Sequence, residues 1–369
     1  MSPSGAQRVL QFGTGRFLRG FVDSFIDDTN VVAAAGQPDA PARAVTAVET
    51  TGSGMAARLA AQGGAYRLLV RGLDGGAIVD TSRVIRSIDR TVDAAADPGT
   101  AVTAALDADV RFIVSNTTEA GYASDFPVRL SAVLEARARA GLPGLVILPC
   151  ELVERNGDRL RELVAADALA RDLEPGVVEH IRDANTWTVT LVDRITTRPA
   201  PDVPGTFGDP LAVAVEPFAS WVVEASEDVT ILEHARVERT ADVQPYALRK
   251  IRILNGAHTA LVVRTRGTGV TLVREAMDDP AIAAWMEALM IDEILPALDE
   301  RIRDGPAFVR TTLERFRNPF ADHRLEDIAI HHDQKLAIRL VPTYRDHIER
   351  FGRVPRLLGQ VLAQEGVLP

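Results

Sequence analysis

The stretch Lys250-Ile251-Arg252-Ile253-Leu254-Asn255-Gly256-Ala257-His258 sets three polar side chains of different chemistry within nine residues. A lysine can take or return a proton, and an amide and an imidazole beside it add hydrogen-bonding groups of a different kind. On a helix of about 100° per residue, His258 lies about 80° around from Lys250 and Asn255 roughly 60° further. Leu254 and Leu261 fall about 40° and 20° from Lys250 on the same wheel, so the lysine is expected among apolar neighbours. Desolvation lowers the pKa of an ammonium and suits it to acid/base work near neutrality. Singly, each residue has a plainer reading: a snorkelling lysine, a core histidine, an asparagine pausing the helix before Gly256. Together, three unlike polar groups fanned over one apolar side are expected to form a site.

A second feature is Val9-Leu10-Gln11-Phe12-Gly13-Thr14-Gly15-Arg16-Phe17, a G-x-G between an apolar run and a helical stretch. Glycines at such a turn let the backbone approach a pyrophosphate closely, with the following N–H groups facing the anion. Gly13, Gly15, Arg16 and Phe17 are therefore cofactor candidates, although Leu18 and Arg19 stand where the usual third glycine would be. Glu49 ends the second apolar run, where a carboxylate can accept bonds from both ribose hydroxyls and favour NAD over NADP. Asn116, Thr118 and Glu119 follow a core strand at its carboxyl end, where open α/β sheets bind ligands. Arg317, Lys335 and Arg339 are cations suited to a substrate carboxylate or phosphate. His331-His332 points to two faces of a helix and suggests no metal site, and Cys150, closing the run GLVILP, reads as a buried thiol.

The elements that must position these groups change character along the chain. Arg8–Phe12, Val45–Val48, Val110–Ser115 and Gly144–Leu148 are short apolar strands separated by helical stretches such as Phe17–Asp28 and Val128–Ala140, the pattern of a parallel, doubly wound α/β sheet. Val31–Pro41 is expected as an inserted loop. Tyr66–Leu73 and Ala77–Ile88 form a hairpin about Asp74-Gly75-Gly76. Gly157–Leu173 and Val177–Ala184 are helical, Trp187–Ile195 and Leu211–Val223 extended, and Arg198–Pro210 a loop by its prolines. Beyond Pro245 almost every segment is amphipathic helix: Tyr246–Arg264, Ala281–Leu298, Ala307–Phe316 and Leu325–Leu340. The expected organisation is a Rossmann-type NAD-binding domain over 1–244 and a helical substrate domain over 245–369.

Composition removes whole classes. The 369 residues carry 41 Lys+Arg against 51 Asp+Glu, a net charge of −10, and no basic block of the kind that neutralises a phosphate backbone, so a nucleic-acid partner is not expected. One cysteine gives no disulfide or cysteine-rich zinc site. No run approaches the ~18 apolar residues of a membrane span, and the first ten residues lack a secretory pattern. The expectation is a cytoplasmic enzyme with a small-molecule substrate, as monomer or homo-oligomer.

These residues resemble the polyol-specific long-chain dehydrogenase/reductase family, the group of mannitol and mannitol-1-phosphate dehydrogenases and tagaturonate and fructuronate reductases. Its K-x-x-x-x-N-x-x-H signature matches Lys250, Asn255 and His258, and similarity runs through QFGTGRFLRGFVD, TTGSG, YRLLVRGL, SNTTEAGY, LPCELVERNGDRLRELV, TLVDRITTRP, REAM and RFRNPF. SNTTEAGY, PCEL and ILNGAHTAL are most like the tagaturonate reductase branch. The resemblance implies a metal-independent NAD enzyme with catalysis where the two domains meet, Lys250 as general acid/base, Asn255 steadying the alkoxide, and His258 holding substrate. It implies interconversion of a secondary alcohol and a ketone on an acyclic sugar acid or polyol, altronate/tagaturonate first. Mannitol 2-dehydrogenase or mannitol-1-phosphate 5-dehydrogenase chemistry is the alternative, and a nucleotide-binding, non-catalytic homologue a third reading. The family's carboxylate two or three residues before the lysine is replaced here by Ala247 and Leu248, and Thr190 and Leu191 precede Val192-Asp193-Arg194 where the mannitol branch carries an asparagine. The length of 369 residues suits the mannitol-1-phosphate branch, and so does the D-P-L-x-V-x-V-E-x-F-x-x-W pattern from Asp209 to Trp221.

Overall fold

The computed structural model describes residues 7–35 and 43–367 and divides into two compact units. The first comprises residues up to Val70 together with Asp80–Val243; the second comprises Arg71–Val79 and Gln244 onward.

In the first unit, β1 (Gln7–Phe12) turns through the glycine loop into α1 (Arg16–Gly20) and α2 (Val22–Ala34). Then follow β2 (Arg43–Glu49), α3 (Met55–Ala61), the hairpin β3 (Tyr66–Asp74) and β4 (Ala77–Ile85), β5 (Ile88–Asp93) and β6 (Val110–Ser115). Beyond these come α4 (Phe126–Arg139), β7 (Val146–Pro149), α5 (Asn156–Ala170) and β8 (Thr186–Trp187). The strands β5-β2-β1-β6-β7-β8 make one sheet with every pairing parallel. Leaving out the hairpin, which pairs in another sheet, the order is the 3-2-1-4-5-6 of a Rossmann fold, whose direction reverses between β1 and β6. That crevice receives both the glycine loop and Asn116.

Alternation builds the layers. Val9 of β1 joins Phe21, Phe25, Phe112 and Trp221 on one face, while Leu10 and Phe12 join Val48, Ile113, Phe126 and Leu130 on the other. Successive side chains of a strand point to opposite faces, so a sheet covered on both sides needs apolar residues at consecutive positions. All seven residues of β2 are buried. The hairpin turns on Gly75 and Gly76 at φ +60° and +79°, the pair of left-handed residues that a tight two-residue turn demands.

Several expectations need correction. The helix expected over Phe17–Asp28 breaks at Phe21, at φ −125° and ψ −88°, because Phe21 is pulled into the aromatic cluster with Phe17, Phe25 and Trp221. It then continues to Ala34, so Val31–Ala34 is helix rather than loop; residues 36–41 lie outside the described residues. The second hairpin strand ends at Ile85, and Ile88 instead begins a strand parallel to β2. The stretch expected as extended over Leu211–Val223 is two strands, β9 (Val213–Val215) and β10 (Ser220–Glu224), in different sheets.

The second unit is helical. Gln244–Arg249 leads into a wide turn of π-helix at Lys250–Asn255, which relaxes into α6 (Gly256–Arg264). Later come α7 (Gly305–Phe316), α8 (Val341–Phe351) and α9 (Arg356–Gln364). Its interior is Ile253, Leu254, Leu261, Met286, Met290, Ile294, Leu340, Leu358 and Leu362. The helix expected over Leu325–Leu340 is interrupted at Ile330–His331, where His331 takes φ +57°, a left-handed conformation that ends an α-helix.

Candidate active site

The N-terminal unit holds a cavity of about 550 Å³. Gly13 makes it possible: at φ +123° only glycine is unstrained, and a Cβ there would lie 3.0 Å from the Asn116 carbonyl and 3.1 Å from Leu18. Gly15 faces open space. The loop therefore offers main chain rather than side chain to a ligand, and α1 begins at Gly15 without a side-chain cap. Arg16, Phe17, Asn116, Thr117 and Thr118 line the same cavity, with Thr50, Thr51, Ser53 and Arg58 at the end of β2 and Thr196 and Arg198 opposite. Its charged lining is Arg16, Arg19, Arg58 and Arg198, with no Asp or Glu among the described residues. In a chain of net charge −10 this is a local inversion of sign, and with the backbone cradle it fits the pyrophosphate of a dinucleotide.

Buried polar groups behind the lining fix its shape. Arg19, 3% exposed, donates to the Thr14 carbonyl at 3.1 Å and to the Leu211 carbonyl. Gln11 donates to the Gly13 carbonyl at 3.2 Å and to the Asp23 carboxyl at 3.3 Å, and the Tyr66 hydroxyl donates to the Arg19 carbonyl at 2.7 Å. Complete burial pushes the Asp23 carboxyl up to about 7, against the opposing pull of Gln11, Arg19 and Tyr66. On the β6 side, Glu151 accepts from the Ser115 hydroxyl at 3.0 Å and from the Thr117 N–H at 2.9 Å. That holds the 116–118 turn although Thr118 sits at φ +68°, a conformation rare for a β-branched residue. No motif spacing marks Glu151 as a positioning residue; its one signal in the sequence is a carboxylate directly after a core strand. Arg194 spends its guanidinium on the Glu216 and Gly20 carbonyls inside this unit, and Cys150 is buried, its thiol raised by burial.

Two expected cofactor residues lie elsewhere. Glu119 is exposed and does not line the cavity. Glu49 is fully buried, accepting from the Ser53 hydroxyl at 2.8 Å and from the Ala56 N–H at 2.7 Å. Burial alone would raise its carboxyl, but these bonds, with the Met55 and Gly54 N–H groups, outweigh it and hold the group below its ordinary value. It is an anion facing the start of α3 rather than the cavity.

A second group of candidate residues belongs to the helical unit. Lys250 opens the π-turn and Asn255 closes it, both half-buried. An i→i+5 turn carries more residues per revolution than an α-helix, so the 100° wheel does not apply across Lys250–Asn255, and the side chains spread differently from the regular projection. The Asn255 carbonyl accepts from the Thr259 hydroxyl at 2.9 Å and from Arg339 at 3.4 Å; among the described residues no hydrogen bond occupies its side-chain amide. His258 is buried, stacked on Phe316 at 4.2 Å and meeting His323 edge-on at 4.7 Å. Burial, and then the neighbouring His323 and the charges of Arg315, Arg339 and Lys335, depress its pKa well below the ordinary value. The imidazole is therefore neutral, and its Nε2 is buried with no partner among the described residues, a donor or acceptor held in reserve.

Lys335 donates to the Ile328 carbonyl at 2.8 Å, and Arg339 to the Thr259 hydroxyl at 3.2 Å, so both lie near the histidine. Arg317 is exposed. Two residues earlier on α7, the buried Arg315 bears on His258 instead. Arg315 and His323 were not anticipated, although Arg315 opens the run RFRNPF that drew attention to Arg317.

Known proteins resolve what this geometry belongs to. Residues 7–232 match the mannitol dehydrogenase Rossmann domain and residues 242–364 the mannitol dehydrogenase C-terminal domain. The chain belongs to the mannitol dehydrogenase family. It is thus a member of a family of oxidoreductases acting on CH–OH groups. The altronate oxidoreductase of Bacillus subtilis (strain 168) is 34% identical over 95% of this chain and 77% of its own length. That of Pectobacterium carotovorum is 35% identical over 96% and 78%. Among solved structures, a substrate-free D-sorbitol dehydrogenase superposes with a TM-score of 0.83 at 22% identity, covering 98% of this chain and 82% of that one. Mannitol 2-dehydrogenase of Pseudomonas fluorescens, in a ternary complex with NAD and D-mannitol, gives 0.74 at 24% identity, covering 97% and 78%. Both share this Rossmann-plus-helical fold. Among the described residues no helix is long and apolar enough to cross a membrane.

Proposed function

We infer that this chain is an NAD-dependent oxidoreductase that interconverts a secondary alcohol and a ketone on an acyclic sugar acid, altronate and tagaturonate first. The observation that carries the reading is a half-buried lysine and asparagine bracketing one wide turn, followed three residues on by a buried histidine stacked on Phe316 whose Nε2 has no partner among the described residues. The altronate oxidoreductases at 34–35% identity support the substrate class.

When bound along the glycine loop, the nicotinamide dinucleotide gives or accepts the hydride. Lys250 takes the proton from the alcohol oxygen in oxidation and returns it in reduction. The Asn255 amide donates to the same oxygen as charge builds on it, an oxyanion-type contribution that costs about 10²–10³ in rate when removed in other systems. His258, being neutral, presents Nε2 to a substrate hydroxyl or carbonyl without adding a charge. Arg339 and Lys335 hold the substrate's anionic end. Gly13, Gly15, Arg16, Phe17, Asn116 and Thr118 seat the cofactor.

The cationic surroundings of His258 also suit a sugar phosphate, and that is the second reading. Parallel assays of NADH oxidation with tagaturonate, fructuronate, fructose and fructose 6-phosphate separate the two. Fastest turnover with tagaturonate is expected. Preference for fructose 6-phosphate moves the assignment to the phosphate, and NADH binding without turnover of any of the four overturns the enzymatic reading.

A further inference from the structure

In a Rossmann fold, choice between NAD and its 2′-phosphorylated form is made at the end of the second strand, where a carboxylate accepts bonds from the ribose hydroxyls and repels a 2′-phosphate. Here the carboxylate at that place, Glu49, is fully buried and bonded to the Ser53 hydroxyl and the Ala56 N–H. Turning it outward would strip the first turn of α3 of its acceptor and leave those donors unmatched. What the cavity meets instead is Thr50, Thr51, Ser53 and the exposed guanidinium of Arg58. Arg58 is steadied by one bond from Nη2 to the Ser53 carbonyl, 3.2 Å, and among the described residues no carboxylate pairs with it. A guanidinium with neighbouring hydroxyls is a phosphate seat, since its fixed fork can engage two phosphate oxygens at once.

We propose that this chain accepts the 2′-phosphorylated nicotinamide dinucleotide as well as NAD, with Arg58 and Thr51 receiving the 2′-phosphate, the Ser53 hydroxyl being engaged by Glu49. Glu49 then shapes the seat from beneath instead of excluding the phosphate. This rests on the reading of the cavity as a dinucleotide site, and the test is arranged so that the two can fail separately.

Calorimetric titration of the full-length protein with 5′-AMP and with 2′,5′-ADP needs no substrate and no turnover. Wild type is expected to bind 2′,5′-ADP no more than tenfold more weakly than 5′-AMP. Arg58→Ala is expected to lower the preference for 2′,5′-ADP over 5′-AMP at least fivefold, and Arg58→Lys to restore part of it. A wild-type protein that binds 5′-AMP but takes 2′,5′-ADP more than tenfold more weakly overturns the proposal and leaves the NAD reading standing. An Arg58→Ala variant whose preference moves less than fivefold overturns the role of Arg58. Binding of neither nucleotide removes the dinucleotide reading itself, and the proposal with it.

Discussion

Beside the glycine loop the walls are main chain, hydroxyls and arginines, and the carboxylates of that neighbourhood, Asp23, Glu49 and Glu151, are turned inward onto protein donors. Around His258 the order is reversed: the functional groups themselves are buried or half-buried, and among the described residues the imidazole Nε2 has no partner. The first arrangement binds an anion by what its frame excludes, so its selectivity depends on groups a ligand never touches. The second places polar groups where desolvation strengthens each contact, and so depends on the contacting groups directly. Substitutions in the two regions should therefore separate binding of the dinucleotide from the chemical step.

Lys250→Ala should cut kcat at neutral pH by about 10³ or more while NADH binding changes little, since the proton then has no acceptor; fluorescence titration with NADH beside steady-state rates checks this. Near-normal turnover would sink the role of the lysine. Gly13→Ala inverts the pattern. Its Cβ presses on the Asn116 carbonyl at a φ that alanine resists, so the Kd for NADH should rise at least about tenfold; an unchanged Kd would show that the loop is not the pyrophosphate seat. Arg339→Met should raise KM for tagaturonate about tenfold and that for fructose less, because only the sugar acid brings a negative charge. Equal effects on both would assign Arg339 to holding the Asn255 turn.

The smallest effect expected is on stability. The Asp23 carboxyl is held protonated by burial up to about 7 in the folded protein, against 3.8 as its ordinary value. Its contribution is fully present below pH 4 and is lost as pH rises through 7, on the order of 2 kcal/mol between pH 5 and 8. Asp23→Asn cannot titrate, so between pH 5 and 8 its Tm should gain a few °C on that of the wild type. A constant difference between the two melting curves would show that Asp23 does not keep its proton.

The two regions also differed in how far the sequence disclosed them. The sheet was legible because β1, β2, β6 and β7 are buried on both faces and so are written as unbroken apolar runs. The glycine loop was legible because a tight turn after β1 tolerates few other residues. Glu49 misled because spacing locates a Cα and says nothing of where a carboxylate finds its donors, here the start of α3. The lysine motif was visible as a pattern, yet its geometry was drawn on an α-helix, and the π-turn leaves no trace in residue spacing. Arg315 and His323 escaped because nothing local marks them; they reach His258 through tertiary packing.

The hairpin carries one more consequence. Its tip, Arg71–Val79, belongs to the helical unit: the Gly76 N–H donates to Glu314 at 2.5 Å, the Asn318 amide donates to the Arg71 carbonyl at 3.2 Å, and Arg71 lies 4.4 Å over the Phe320 ring. On the ribosome these nine residues emerge long before the helices they complete, because Glu314 and Asn318 follow Gly76 and Arg71 by 238 and 247 residues. A gene fragment beginning at Gln244 would therefore encode a body with a missing piece, and the two halves of this protein cannot be exchanged between relatives by a single cut.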